Sequence, residues 1–461
     1  MMKIAQAVSD LRTYFNTGST RSYEWRVAQL DAIVRLVEEN EDALMKALME
    51  DSGKADFTAY SGDVMFVRGE ALHAKKHLKK WMKPRKVGSP LMLKPATSYI
   101  LPEPLGVALV IGAWNFPLHL TLGPLCGAVA AGNACMIKPS EISPKVSALI
   151  ATLVPQYLDA RAVKVVEGGV AETTALLEQR FDKILYTGNS QVAKVVAAAA
   201  AKHLTPVTLE LGGKNPCIVH ADANLDVAAN RIIDVKCSNA GQICVSADYL
   251  LVHESVYDAF LPKLTARIRD FFGEDPQKSS DYSRIINARH LARLQALMDE
   301  GTIYHGGRID ERDNYLEPTI LVDVPETAKI MQEEIFGPIL PVFKYADLQE
   351  ALAKINAGEK PLALYLFTES DAVHDAVEKE TSSGALIRNV LMIHASNHQL
   401  PFGGVGNSGM GSYHGQYSFD NMSHLKSVMI KPTWMDPRGA YPPFDEKAMT
   451  MRKKITRWMM S

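Results

Sequence analysis

Val27, Leu30, Ile33, Val34 and Val37 recur at three- and four-residue steps, the mark of one buried helical stripe, and residues 1–80 read as helical. The first fourteen residues predict an amphipathic helix carrying Lys3, Asp10 and Arg12, with no apolar run behind it that would read as a secretory leader. Between 84 and 103 the period changes. Prolines, lysines and alternating apolar residues (Met92, Leu93, Ile100, Leu101) predict a hairpin that leaves the domain. From 105 to 209 short apolar runs alternate with helical patterns, and strands are predicted at Val107–Ile111, Ala134–Ile137, Ala162–Val166 and Lys183–Tyr186. That alternation predicts a parallel, helix-covered sheet of the dinucleotide-binding kind. A second alternating region, 210–400, offers strands at Pro216–Val219, Tyr249–Val252, Ile339–Lys344 and Leu362–Phe367.

The stretch Leu105–Ile137 is uncharged and long enough to cross a bilayer. It also holds five glycines, Pro117, Pro124, Asn115 and Asn133, so a lipid-exposed helix would leave backbone groups unsatisfied there. A buried strand, a loop, a helix over Thr121–Ala131 and a second strand fit better. At 461 residues the chain calls for two or three domains. Fifty Lys+Arg against 52 Asp+Glu give a net charge of −2, which offers nothing for nucleic acid. The five cysteines show no CxxC pair and no metal-ligand spacing with histidine, so reduced thiols in a cytoplasmic setting are expected and no metal site.

Two segments suggest chemistry. Asn239-Ala-Gly-Gln-Ile-Cys244 sets one cysteine on a polar, glycine-containing loop. Glu210-Leu-Gly-Gly-Lys214 follows the strand-like run Pro206–Leu209 with a lone carboxylate. A soft nucleophile and a general base on tight turns suit covalent acyl chemistry. The one GxGxxG match, Gly404–Gly409, neither follows a strand nor opens a helix, and reads as a flexible loop. Thr187-Gly188-Asn189-Ser190 is the better phosphate turn, because it follows a strand and precedes the helical run Ala193–Lys202. Lys138 and Glu141 close a strand in a manner suited to ribose hydroxyls. Asn115, between Trp114 and Phe116, is expected to be a buried amide that caps the next helix or donates to an oxyanion. Glu333-Glu334-Ile-Phe336 ends a helix-like stretch. Each of these has a plain structural reading by itself: a small core thiol, a solvated turn, a solvated acidic face.

Taken together they carry more. Trp114-Asn-Phe-Pro117, Lys138-Pro-Ser-Glu141, Thr187-Gly188, Glu210-Leu-Gly-Gly-Lys214, Gly241-Gln-Ile-Cys244, Glu333-Glu-Ile-Phe-Gly-Pro338 and Pro401-Phe-Gly-Gly404 stand in the order found in aldehyde dehydrogenases. The chain resembles that superfamily along essentially its whole length. With its short N-terminal region and the ending Gly406–His414, it looks most like the class 3 branch, which acts on fatty and aromatic aldehydes. The resemblance implies an α/β fold: a Rossmann-like NAD(P)-binding domain at 1–209 with its hairpin at 84–103, a catalytic domain at 210–415, and an oligomerisation strand and tail at 416–461. It implies that Cys244 is the nucleophile, that Glu210 activates water, and that Asn115 with the Cys244 amide holds the oxyanion. Cofactor contacts would come from Trp114, Lys138, Glu141, Gly188, Ser190, Glu334 and Phe336. NAD is the implied cofactor, with NADP usable, on a homodimer with no membrane span. Two departures stand out: Ala193 replaces a glycine usual in the nucleotide turn, and Ile243 and Val245 leave Cys244 without a neighbouring thiol. A CoA-acylating dehydrogenase and a non-catalytic relative are the alternatives.

Overall fold

The computed structural model describes residues 2–436 and 441–460. Met1 and Ser461, at the ends of two segments read above, lie outside them. The N-terminal period does form helices, Met2–Asn16, Tyr23–Glu39, Glu41–Ser52 and Met65–Trp81. Ser22 caps the second of these by accepting from the Trp25 amide, and Leu30, Ile33, Val34 and Val37 are buried along its inner face. The hairpin is present as Arg85–Val87 paired antiparallel with Thr97–Pro104, and Ser423–Ile430 joins its other edge to make a three-stranded sheet.

Two larger sheets form the body. The six-stranded sheet runs Gly409–Met410, Val207–Glu210, Lys183–Thr187, Val107–Ile111, Ala134–Lys138, Val163–Val165, all parallel except the first. The chain winds outward from Val107–Ile111 in one direction, then returns to Lys183–Thr187 and winds the other way. The carboxyl ends of those two strands therefore flank a switch point, where open α/β sheets bind ligands. The seven-stranded sheet runs Thr302–His305, Thr319–Val322, Ile339–Tyr345, Tyr249–His253, Pro216–Val219, Ala363–Phe367, Ala385–Arg388. Leu105–Ile137 is buried as strand, loop, helix (His119–Ala131) and strand, as its glycines and prolines required.

Two expectations fail. The stretch before Gln332 is not a helix but a single 3-10 turn, Lys329–Met331. Its carbonyls bond sideways: those of Ile330 and Glu333 accept from Lys214, and those of Glu334 and Ile335 from Arg293. Gly404–Gly409 is not an open loop either. Ser408 is buried, and Gly409–Met410 pairs with Glu210 and Leu209, so this segment closes the edge of the first sheet.

Candidate active site

Ile111, Lys138, Thr187 and Glu210, at the carboxyl ends of four parallel strands, open onto one cavity of about 2270 Å³. Pro216 and Tyr249, at the starts of two strands of the second sheet, line its other side. Trp114, Asn115, Lys138, Glu141, Gly188, Ser190, Glu210, Cys244, Glu334 and Phe336 all line this cavity. The residues singled out in the sequence are thus brought together.

The cysteine loop begins where the helix Leu225–Cys237 ends. Asn239, Ala240 and Gly241 all take positive φ, at 49°, 51° and 72°. Two non-glycine residues in that region store strain, which the surrounding bonds must offset. The Gln242 side chain donates to the carbonyls of Asn239 and Arg284 (both 2.9 Å) and accepts from the Ile286 amide at 2.9 Å. Asn215 donates to the carbonyls of Cys244 (2.7 Å) and Ser246 (2.9 Å). Gly241 has no alternative, because a Cβ there would collide with the Gly337 carbonyl.

Cys244 is half-buried at the end of this loop. Burial pushes its thiol up to about 12, helped by Glu334 and Glu210 nearby, so the resting cysteine is protonated. Glu210 is buried and neither carboxyl oxygen has a partner, and burial alone holds it well above the ordinary carboxylate range. Glu334 is raised to about 8 by burial and then by Asp248, opposed by the Gly213 amide and Lys214. Asn115 does not cap the following helix. Its side chain donates to the Gln242 carbonyl at 3.1 Å, two residues before Cys244, which leaves one amide hydrogen uncommitted.

The other half of the cavity suits a dinucleotide. Lys138, itself buried, pairs with Glu141 at 2.7 Å, the arrangement expected for ribose hydroxyls. Asn189 caps the helix Ser190–Ala201, so Ser190 opens a helix whose first amides lack intrahelical acceptors, and the buried Thr187 hydroxyl beside it has no partner. Trp114 and Phe336 meet edge to face at 5.3 Å. Sequence reasoning missed the supports: Lys54, Asp63, Asn215, Asp248 and Arg293, and Lys214 beyond its place in a motif. Lys214 pairs with Asp248, whose other oxygen accepts from the Ile335 amide, and so steadies the segment bearing Glu334.

Known proteins resemble this chain closely in sequence and in fold. A family description, the aldehyde dehydrogenase family, matches residues 2–428. The dimeric NADP-preferring aldehyde dehydrogenase of Canis lupus familiaris is 47% identical over 96% of this chain and 98% of its own. Aldehyde dehydrogenase family 3 member A2 of Rattus norvegicus is 46% identical over 97% of this chain and 93% of its own. Among solved structures, the substrate-bound AldH of Staphylococcus aureus superposes with a TM-score of 0.95 at 42% identity, covering 99% of both chains. The chain belongs to the aldehyde dehydrogenase family and is an NAD(P)-dependent enzyme that oxidises aldehydes.

Proposed function

We propose that this chemistry runs through a covalent acyl-cysteine. The Cys244 thiol gives up its proton to solvent as its sulfur attacks the aldehyde carbon, and the carbonyl oxygen, left as an oxyanion, is held by the free Asn115 amide hydrogen and the Cys244 backbone N–H. Glu334 would hold the nicotinamide ribose and Phe336 with Trp114 would flank the ring, and NAD bound there would supply the hydride acceptor. The former aldehyde carbon loses its hydrogen as hydride, the carbonyl re-forms, and the product on the cysteine is a thioester. Glu210 takes a proton from water, the water oxygen attacks the thioester carbon, and the carbon–sulfur bond breaks to release the carboxylic acid. The observation that carries this reading is the convergence on one cavity of a thiol, a buried carboxyl without partners and an amide tied to the nucleophile's own loop. It favours hydrolysis over transfer to CoA, because Glu210 stands ready to serve water. NADH formation from aliphatic and benzaldehyde-type substrates tests it: the rate should be unchanged by CoA and the product a free acid, while a CoA requirement would overturn it.

In this reading residues 1–209 bind the cofactor, 210–415 carry the chemistry and 416–461 hold the oligomerisation strand and tail. The substrates are medium- or long-chain aliphatic or aromatic aldehydes. The three-stranded sheet supports a homodimer: Leu425, Met429 and Ile430 are exposed on its outer strand, as is Val87 on the hairpin. A monomeric mass by light scattering would contradict the dimer. Unpaired cysteines throughout support a cytoplasmic location. Among the described residues no helix is long and apolar enough to cross a membrane.

The cofactor preference gives a direct prediction. Glu141 is half-exposed beside Lys138, where a 2′-phosphate would bring a second negative charge against it. Wild-type enzyme is expected to prefer NAD while using NADP, and Glu141→Gln to move the ratio of kcat/KM values toward NADP by about tenfold. An unchanged ratio would show that Glu141 does not meet the ribose.

A further inference from the structure

Beneath the cavity lies an ion pair that neither lines it nor takes part in the reaction described above. Lys54 and Asp63 are both buried, with side-chain exposures of 1% and 0%, and meet at 2.7 Å. Isolated pairs at such depth contribute little to stability, so their partners are the informative part. The Lys54 ammonium also donates to the Asn115 carbonyl at 2.6 Å and lies 4.1 Å from the centre of the Phe116 ring. The other Asp63 oxygen accepts from the amides of Leu118 and His119, both at 3.1 Å, at the start of the helix His119–Ala131. One ion pair therefore grips both ends of the turn 115–119. Asp63 sits in a π-helical turn, Tyr60–Val64, a rare geometry that recurs at functional sites. Gly62 in that turn lets it approach Phe116 so closely that a Cβ would stand 2.7 Å from the ring.

The effect falls on one group. The Asn115 carbonyl accepts from Lys54 and also, at 3.1 Å, from the Asn239 side chain, which uses both its lone pairs. Its side-chain amide is tied to Gln242. The peptide is thereby pinned from the helical layer by Lys54 and from the cysteine loop by Asn239 and Gln242. A donor held this way needs no reorganisation when the oxyanion forms, which is the source of its catalytic effect. We propose that Lys54 and Asp63 are positioning residues for the oxyanion amide: they touch neither substrate nor cofactor, and act on the rate by fixing where the Asn115 amide points. The proposal rests on the role given to Asn115 above.

The test is a double-mutant cycle on the hydride step, read as the single-turnover rate of NADH formation from hexanal and NAD by the full-length enzyme. Lys54→Met is expected to slow that step roughly 10- to 100-fold, the penalty of misplacing a catalytic group by about an ångström. The dissociation constant for NAD should stay within about twofold. In an Asn115→Ala background the same substitution should change the rate less than about twofold, because the group it positions is gone. Should Lys54→Met fail to fold, Lys54→Met/Asp63→Asn removes both charges and leaves none unpaired, and the same cycle is run with it. Equal losses in both backgrounds would overturn the positioning role and leave Lys54 a structural residue. A hydride step unaffected by Asn115→Ala, in an enzyme still dependent on Cys244, would instead overturn the oxyanion assignment on which the proposal rests.

Discussion

Replacing Cys244 with serine should remove aldehyde oxidation almost completely, by about four to six orders of magnitude in kcat, while NAD binding and the fold persist. The substitution exchanges one atom at a half-buried position, so no cavity opens and no bond of the loop is lost: the bonds to Asn215, Gln242 and Asn239 all involve backbone or other side chains. What changes is nucleophilicity. Even the thiol is pushed up to about 12 here by burial and by Glu334 and Glu210. A serine hydroxyl starts from a far weaker acidity and faces the same two carboxyls, so its alkoxide is out of reach. Stopped-flow measurement of NADH should show no burst, and cofactor titration should show binding within about twofold of wild type. Turnover comparable to wild type would remove Cys244 from the mechanism.

The alternation of short apolar runs with helical patterns was enough to read the parallel strands of the first sheet, since strands buried on both faces leave continuous apolar signals such as Val107–Ile111. The site motifs were legible because each sits at a strand end or in a tight turn, where residue type is constrained locally. The supports were not. Lys54 meets Asn115 across 61 positions, and a lysine among helices reads as a solvated residue until the fold buries it. The irregular path of 329–338 depends on Lys214 and Arg293 arriving from distant segments to take its carbonyls, so a helical pattern there was overridden by tertiary bonds. The same holds for Gly404–Gly409, whose composition suggests mobility and whose last residue, Gly409, pairs with Glu210 at the sheet edge. Conversely, the polar, glycine-containing loop that carries Cys244 says nothing of how its thiol ionises. The structure raises it, first by burial and then by the carboxyls of Glu334 and Glu210, so the thiolate must be generated within the reaction cycle.

Glu210→Gln separates the two halves of that cycle. The first half, attack and hydride loss, needs the thiol, the oxyanion donors and the cofactor. The second needs a base for water, and among the described residues no other carboxyl without partners is buried in the cavity. The variant should therefore form NADH in a single burst and then stall as the acyl-enzyme, with steady-state turnover lowered by about 10²- to 10⁴-fold, the usual worth of a general base. Sign and pH window follow from burial. Because burial holds Glu210 well above the ordinary carboxylate range, raising the pH converts more of it to the active base. Wild-type deacylation should rise with pH over a window above that of an exposed glutamate, and the variant should lose this limb. Stability runs the other way. A carboxyl raised in the fold favours the native state below its unfolded value and loses that contribution as pH rises through the folded one, so wild type should lose stability relative to Glu210→Gln as pH increases. If the burst itself vanishes in the variant, the carboxyl is needed to draw the proton from Cys244, and its main role lies in the first half of the cycle.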